Sequence, residues 1–164
     1  MKRAEIDAFC GSRETLYQRI AFFAAPAILL AGIVVVAVRY TSLPAEIPSH
    51  YNFYGEIDGY GSRGTIWVMP VIGVICDATV LAASFFPQLW NAGTSVTVFN
   101  RALVYRRVRD LIADTRLSMA VMFTAFAVWQ TALAPHLPWW MGVLMGVCCT
   151  APLVRFFVRL AMKK

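Results

Sequence analysis

Nitrogen and oxygen donors are concentrated in one polar stretch, residues 40–64, where they could bind a ligand or a metal ion. They are His50, Asn52, Glu56 and Asp58. Their spacing matches neither a calcium loop nor a zinc signature, so we expect no metal and no other cofactor. The weak metal candidates are His50, Asp58 and the second histidine, His136. The alternative is a structured cap whose side chains bond their own backbone.

A single ionisable residue, Asp77, lies in the middle of a long apolar stretch. A charge at that depth in a bilayer is costly, so we expect Asp77 to point into the protein toward a polar partner. Thr124, Thr150 and Arg155 are the predicted partners. Two functions stay open for this intramembrane polar site: a structural hydrogen bond between helices, or a proton or ligand site.

The amino-acid composition indicates that the chain is a membrane protein. Of the 164 residues, 59% are hydrophobic and only 15% are charged, whereas soluble domains average about 45–50% and 25%. We predict an all-α integral membrane protein, one domain over 1–164, with an ordered loop at 40–64. Its bundle of four transmembrane helices is expected at about 20–38, 66–89, 117–133 and 139–158.

The distribution of basic residues predicts the orientation. Thirteen of the 15 Lys and Arg residues flank one side of the predicted spans, and only Arg39 and Arg63 lie on the other. The positive-inside rule therefore places both termini in the cytoplasm and the loop at 40–64 outside. This pattern also explains the net charge of +6, so we expect anionic lipid rather than nucleic acid as the partner.

Three further segments complete the predicted layout, and two of them suggest partners. Residues 1–19 form a cytoplasmic tail. Residues 90–116 form a basic cytoplasmic loop whose apolar positions have helical spacing. This predicts an amphipathic helix that lies on the inner membrane surface or extends the third span into the cytoplasm, where it could contact lipid or a cytoplasmic protein. Gly142 and Gly146 form a GxxxG pair, which favours close packing within the bundle or in a homodimer.

The polar loop resembles the signature of a known family. Its residues read Leu43-Pro44-x-x-Ile47-Pro48-x-His50-Tyr51-Asn52-x-x-Gly55-x-x-Asp58-x-x-Gly61-Ser62-Arg63. This string is similar to an uncharacterised bacterial membrane domain that forms the N-terminal part of SdpI-type proteins. Those are immunity and signalling proteins of a sporulation-delaying toxin system. The resemblance implies a multi-pass protein of the bacterial cytoplasmic (inner) membrane, with its signature positions at His50, Asn52, Gly55 and Asp58. The C-terminal SdpI signature is not found after residue 100.

The leading hypothesis is a non-enzymatic membrane protein of immunity or sensor type that recognises a peptide or envelope ligand through its outer loop. One alternative is a small proton-coupled transporter, or a transport accessory, centred on Asp77. Another is a membrane-bound enzyme or metal site at the outer loop. No phosphate-binding loop, HExxH motif or nucleophile elbow occurs in the sequence, so we expect no catalytic residues.

Overall fold

The computed structural model describes residues 2–162. Its helices are α1 (Arg3–Cys10), α2 (Leu16–Tyr40), α3 (Val68–Ser84), α4 (Arg101–Gln130) and α5 (Trp139–Ala161). Its strands are β1 (Glu46–Tyr51) and β2 (Ile57–Ser62), and short 3₁₀ helices cover Arg63–Trp67 and Pro87–Leu89.

Four segments are long and apolar enough to cross a membrane, namely Leu16–Tyr40, Arg63–Ser84, Arg101–Gln130 and Trp139–Ala161. The number of candidate spans therefore agrees with the prediction of four, although their bounds differ from the predicted ones. The second ends at Ser84 rather than at residue 89, because Pro87 interrupts helical hydrogen bonding. The third begins at Arg101, since the apolar positions of the basic segment continue directly into the span.

The bundle is organised around α4, which packs against α2, α3 and α5. Two glycines permit the close approaches. A Cβ on Gly32 would lie 2.9 Å from Thr124 Cγ2, and a Cβ on Gly73 would lie 2.9 Å from Phe123 Cβ. Gly142 and Gly146, by contrast, have no atom from another helix or loop within 4 Å of their Cβ positions. The predicted GxxxG pair therefore does not pack within the described part of the bundle.

The two ends of the bundle differ in chemistry. At one end α2 and α4 begin and α3 and α5 end. We call it the charged end, because eleven Lys and Arg and six Asp and Glu of residues 2–162 lie toward it. The opposite end, the hairpin end, has two arginines and three acidic residues. Helix α4, at about 1.5 Å per residue, is about 45 Å long and exceeds a hydrocarbon core of about 30 Å.

The loop at 40–64 is an antiparallel hairpin of β1 and β2, so the purely helical prediction was incomplete. Pro44 precedes β1 and Pro48 lies within it, next to Ile47, which is fully buried. Ile47 packs with Val36 of α2, Ile66 and Ala127 of α4. Burial of these side chains fixes the hairpin on the helix ends, as the structured-cap alternative requires.

Candidate functional site

Two places in the chain combine polar chemistry with fixed geometry. The first is the exposed face of the hairpin, which contains the signature positions. The second is a buried ion pair between α3 and α4. They lie toward opposite ends of the bundle.

Two of the signature residues shape the turn of the hairpin. The Asn52 side-chain oxygen accepts hydrogen bonds from the backbone N–H groups of Tyr54 (2.9 Å) and Glu56 (3.0 Å). Gly55 has φ +79°, a left-handed conformation that favours glycine. Side chains of the Asn type commonly stabilise turns in this way. Asn52 and Gly55 are therefore explained by backbone structure without a ligand.

The other two signature residues form an exposed pair. His50 Nδ1 lies 2.5 Å from Asp58 Oδ1, and their side chains are 73% and 41% exposed. The carboxylate orients the imidazole and selects its tautomer, as in many sites where histidine binds a ligand. The strand register shifts on each side of His50, which itself pairs with Gly59, and these irregularities leave Asp58 as an extra residue on β2.

The third weak metal candidate, His136, has a structural contact. It pairs with Glu56 through an isolated β-bridge between the hairpin turn and the segment before α5. Within residues 2–162, no group of three or more His, Cys, Asp or Glu side chains could hold a metal ion. The described donors thus supply a pair rather than a complete coordination set.

The hairpin is anchored to the helices by polar contacts that the sequence did not predict. The Leu137 N–H donates to Gly55 O at 2.7 Å, Tyr51 Oη donates to Ala134 O at 3.1 Å, and Gln130 Nε2 donates to Pro48 O at 3.2 Å. Tyr51 also packs on the Trp129 ring, and burial raises the pKa of its phenol above the ordinary value. These contacts hold the hairpin in one position relative to α4 and α5.

Aromatic side chains project from this anchored hairpin. Phe53 is 99% exposed and Tyr54 is 84% exposed, and their rings meet edge to face at the turn. Tyr60 on β2 is also exposed. A rigid element that presents exposed aromatic rings is typical of a binding surface, because such rings lose little entropy on contact.

The second place is the ion pair of Asp77 and Arg116. Arg116 Nε donates to Asp77 Oδ1 at 2.7 Å and Nη2 donates to Oδ2 at 2.9 Å. The two side chains are only 7% and 4% exposed. A bidentate guanidinium–carboxylate pair is the geometry in which buried opposite charges best compensate each other. Asp77 therefore points into the bundle, as predicted.

The predicted partners of Asp77 were wrong. Thr124 Oγ1 donates to Ile28 O at 3.1 Å, and Thr150 Oγ1 donates to Gly146 O at 2.7 Å, each satisfied by a backbone carbonyl. Arg155 instead pairs with Asp114 and Tyr17. The sequence prediction places Arg116 at the end of the cytoplasmic loop, whereas α4 carries it into the bundle opposite α3. The apolar spacing across residues 103–112 already indicated a helix that could extend the third span, but it did not indicate that Arg116 would face Asp77.

Arg116 belongs to a larger polar layer on α4. Asp110 Oδ1 accepts from Gln18 Nε2 at 2.8 Å, and its Oδ2 accepts from Arg159 Nη1 at 2.7 Å. Asp114 accepts from both Tyr17 and Arg155. Helix α4 therefore binds α2, α3 and α5 by charge-assisted contacts as well as by apolar packing.

The four apolar helices and the charged layer between them define the class, a multi-pass membrane protein. Residues 27–74, from α2 through the hairpin into α3, match a family described as "Domain of unknown function (DUF1648)". Over 141 residues the chain is 24% identical to an uncharacterized protein of Archaeoglobus fulgidus, which covers 76% of this chain and 77% of that protein. No solved structure matches the chain. Neither match names the SdpI type, so that resemblance stays a prediction.

Proposed function

We propose that this chain is a non-enzymatic membrane protein that binds a peptide or envelope ligand on the exposed face of its hairpin. The observation that carries the proposal is the exposure of Phe53 and Tyr54 on a hairpin that is fixed to the helix ends by three hydrogen bonds. A preorganised aromatic surface binds without a large ordering cost. The neighbouring His50–Asp58 pair adds a polar group that could fix the orientation of a ligand.

The proposal requires the hairpin to face the outside of the cell. The excess of Lys and Arg at the charged end supports a cytoplasmic position for both termini in a bacterial inner membrane. Ser49 and Ser95 are both exposed and lie at opposite ends. In a cysteine-free background, an impermeant maleimide should label Ser49→Cys in intact cells and should label Ser95→Cys only after lysis. The reverse pattern would contradict this orientation.

The binding function can be tested with a displayed peptide library, selected on the full chain in nanodiscs. We expect recovered peptides to bind the native protein and to lose about tenfold or more in affinity for the double variant Phe53→Ala/Tyr54→Ala. The matched control is Val38→Ala, because Val38 is also exposed and apolar but lies on helix α2. Equal affinity for the native protein and the aromatic variant would refute a ligand surface at the hairpin tip.

A second function, a proton-coupled transporter or transport accessory, is favoured by one observation, the ion pair inside the candidate spans. Asp77→Asn removes the titratable group while keeping the shape of the side chain. Proton flux into liposomes containing the native protein should then exceed the flux with Asp77→Asn. If both give the flux of empty liposomes, Asp77 is structural and this function is excluded.

A further inference from the structure

The charged end contains a cavity of about 90 Å³ between α1, α2, the end of α3 and α4. Its basic lining consists of Arg3, Arg109 and Arg116. The side chains of these arginines are 47%, 10% and 4% exposed, so Arg3 lies at the rim and Arg116 at the floor. The cavity is distinct from the hairpin face on which the proposed function depends.

The three arginines keep unused N–H donors, although each of them is paired with one carboxylate. Asp7 and Glu14 also line it, and they are bound by Arg109 (2.8 Å) and Arg3 (3.3 Å). A guanidinium carries five N–H donors and no acceptor, so one carboxylate partner leaves donors for a second acceptor. At the floor, Asp77 uses only Nε and Nη2 of Arg116. The three arginines can therefore bind a further acidic group.

The rest of the lining is apolar and aromatic. Phe22 lies between two of the arginines, with the guanidinium carbons of Arg3 and Arg116 at 4.7 and 5.5 Å from its ring centroid. Phe85, at the end of α3, and Ile112 of α4 also line the cavity. A free inorganic anion gains nothing from such walls, whereas a ligand with an acidic head and an apolar body matches both parts.

The position of the cavity indicates where such a ligand comes from. It lies beside the first turns of α2 and the last turn of α3, at the ends of two candidate spans. That is the level of the lipid headgroups if these helices cross a bilayer. We propose that the cavity binds the phosphate of an anionic phospholipid, with the glycerol and upper acyl chain against Phe22 and Phe85. Basic sites between helices are a recognised way to bind acidic headgroups.

Native mass spectrometry of the full chain, released from detergent with added lipid, tests this site. We expect phosphatidylglycerol to stay bound as one molecule per chain, and phosphatidylcholine with the same acyl chains to bind at least tenfold more weakly. Arg3→Gln should weaken the phosphatidylglycerol complex about tenfold, because it removes a charge-assisted contact at the rim. Arg3→Lys should retain an intermediate affinity, since it keeps the charge but not the planar fork.

The matched control is Arg13→Gln, which makes the same change at an exposed arginine outside the cavity lining. Measurements at high ionic strength suppress general attraction to the basic surface, so Arg13→Gln should change the affinity less than twofold. Equal losses in Arg3→Gln and Arg13→Gln would mean surface attraction alone and overturn the proposal. So would equal binding of phosphatidylcholine, or inorganic phosphate that binds as tightly as the lipid.

Discussion

Two of the acid–base pairs in the protein, Asp77–Arg116 and His50–Asp58, have environments that differ sharply. Asp77 and Arg116 are buried between α3 and α4 and make two hydrogen bonds, whereas His50 and Asp58 make one contact on the open face of the hairpin. Removal of one buried charge leaves the other without water or a partner. Removal of one exposed partner leaves the other solvated. The location of such a pair, rather than its chemistry, therefore decides whether it stabilises the fold or is available to a ligand.

The largest effect is expected from Arg116→Met, which leaves the Asp77 carboxylate buried and uncompensated. We expect the free energy of unfolding to fall by about 3–5 kcal/mol, measured by SDS-induced unfolding in mixed micelles with tryptophan fluorescence. The double variant Asp77→Leu/Arg116→Met removes both charges and should recover most of this loss. If the double variant is as unstable as the single one, packing rather than charge accounts for the contact.

Asp77→Asn should have a smaller effect on the same measurement. The amide keeps an acceptor for Arg116 but removes the negative charge, so we expect a loss of about 1.5–3 kcal/mol. With a threonine as the partner, the same change would have been nearly neutral. A neutral outcome would therefore indicate that the guanidinium is compensated by another group.

Gly55→Ala tests how tightly the hairpin turn packs against Leu137. The residue has φ +79°, and a Cβ would lie 2.8 Å from Leu137 O. Strain of about 1–3 kcal/mol should loosen the turn locally. Hydrogen exchange should rise at residues 52–58 and stay unchanged in α3 and α4. Gly64→Ala is the control, since the nearest atom to a Cβ on Gly64 would be Ser62 Oγ at 3.6 Å. An equal rise in hydrogen exchange in both variants would argue against a specific contact between the turn and Leu137.

The smallest effect is expected at the exposed pair. His50→Gln should change the free energy of unfolding by about 0.2–1 kcal/mol at most, because water solvates the Asp58 carboxylate that remains. A loss close to that of Arg116→Met would mean that the exposed pair stabilises the fold as strongly as the buried one. Binding of a selected peptide to His50→Gln separates a role in recognition from the small structural one.

The sequence by itself determined the membrane class, the four apolar segments and the ordered loop, because these depend on local composition and on the spacing of apolar residues. It also indicated that Asp77 would face inward, since the cost of a lone charge in lipid does not depend on which residue compensates it. The apolar spacing of residues 90–116 left two positions open for that segment, the membrane surface or an extension of the third span, and α4, which begins at Arg101, is the extension.

Only the tertiary structure decided which residues meet. Asp77 and Arg116 are 39 positions apart, and their contact depends on the relative depth and rotation of α3 and α4, which the packing of Gly73 against Phe123 sets. The hairpin likewise depends on burial of Ile47 against residues from α2 and α4. Such contacts between distant segments leave no local pattern in the sequence, because each partner is compatible with several others until the helices are packed.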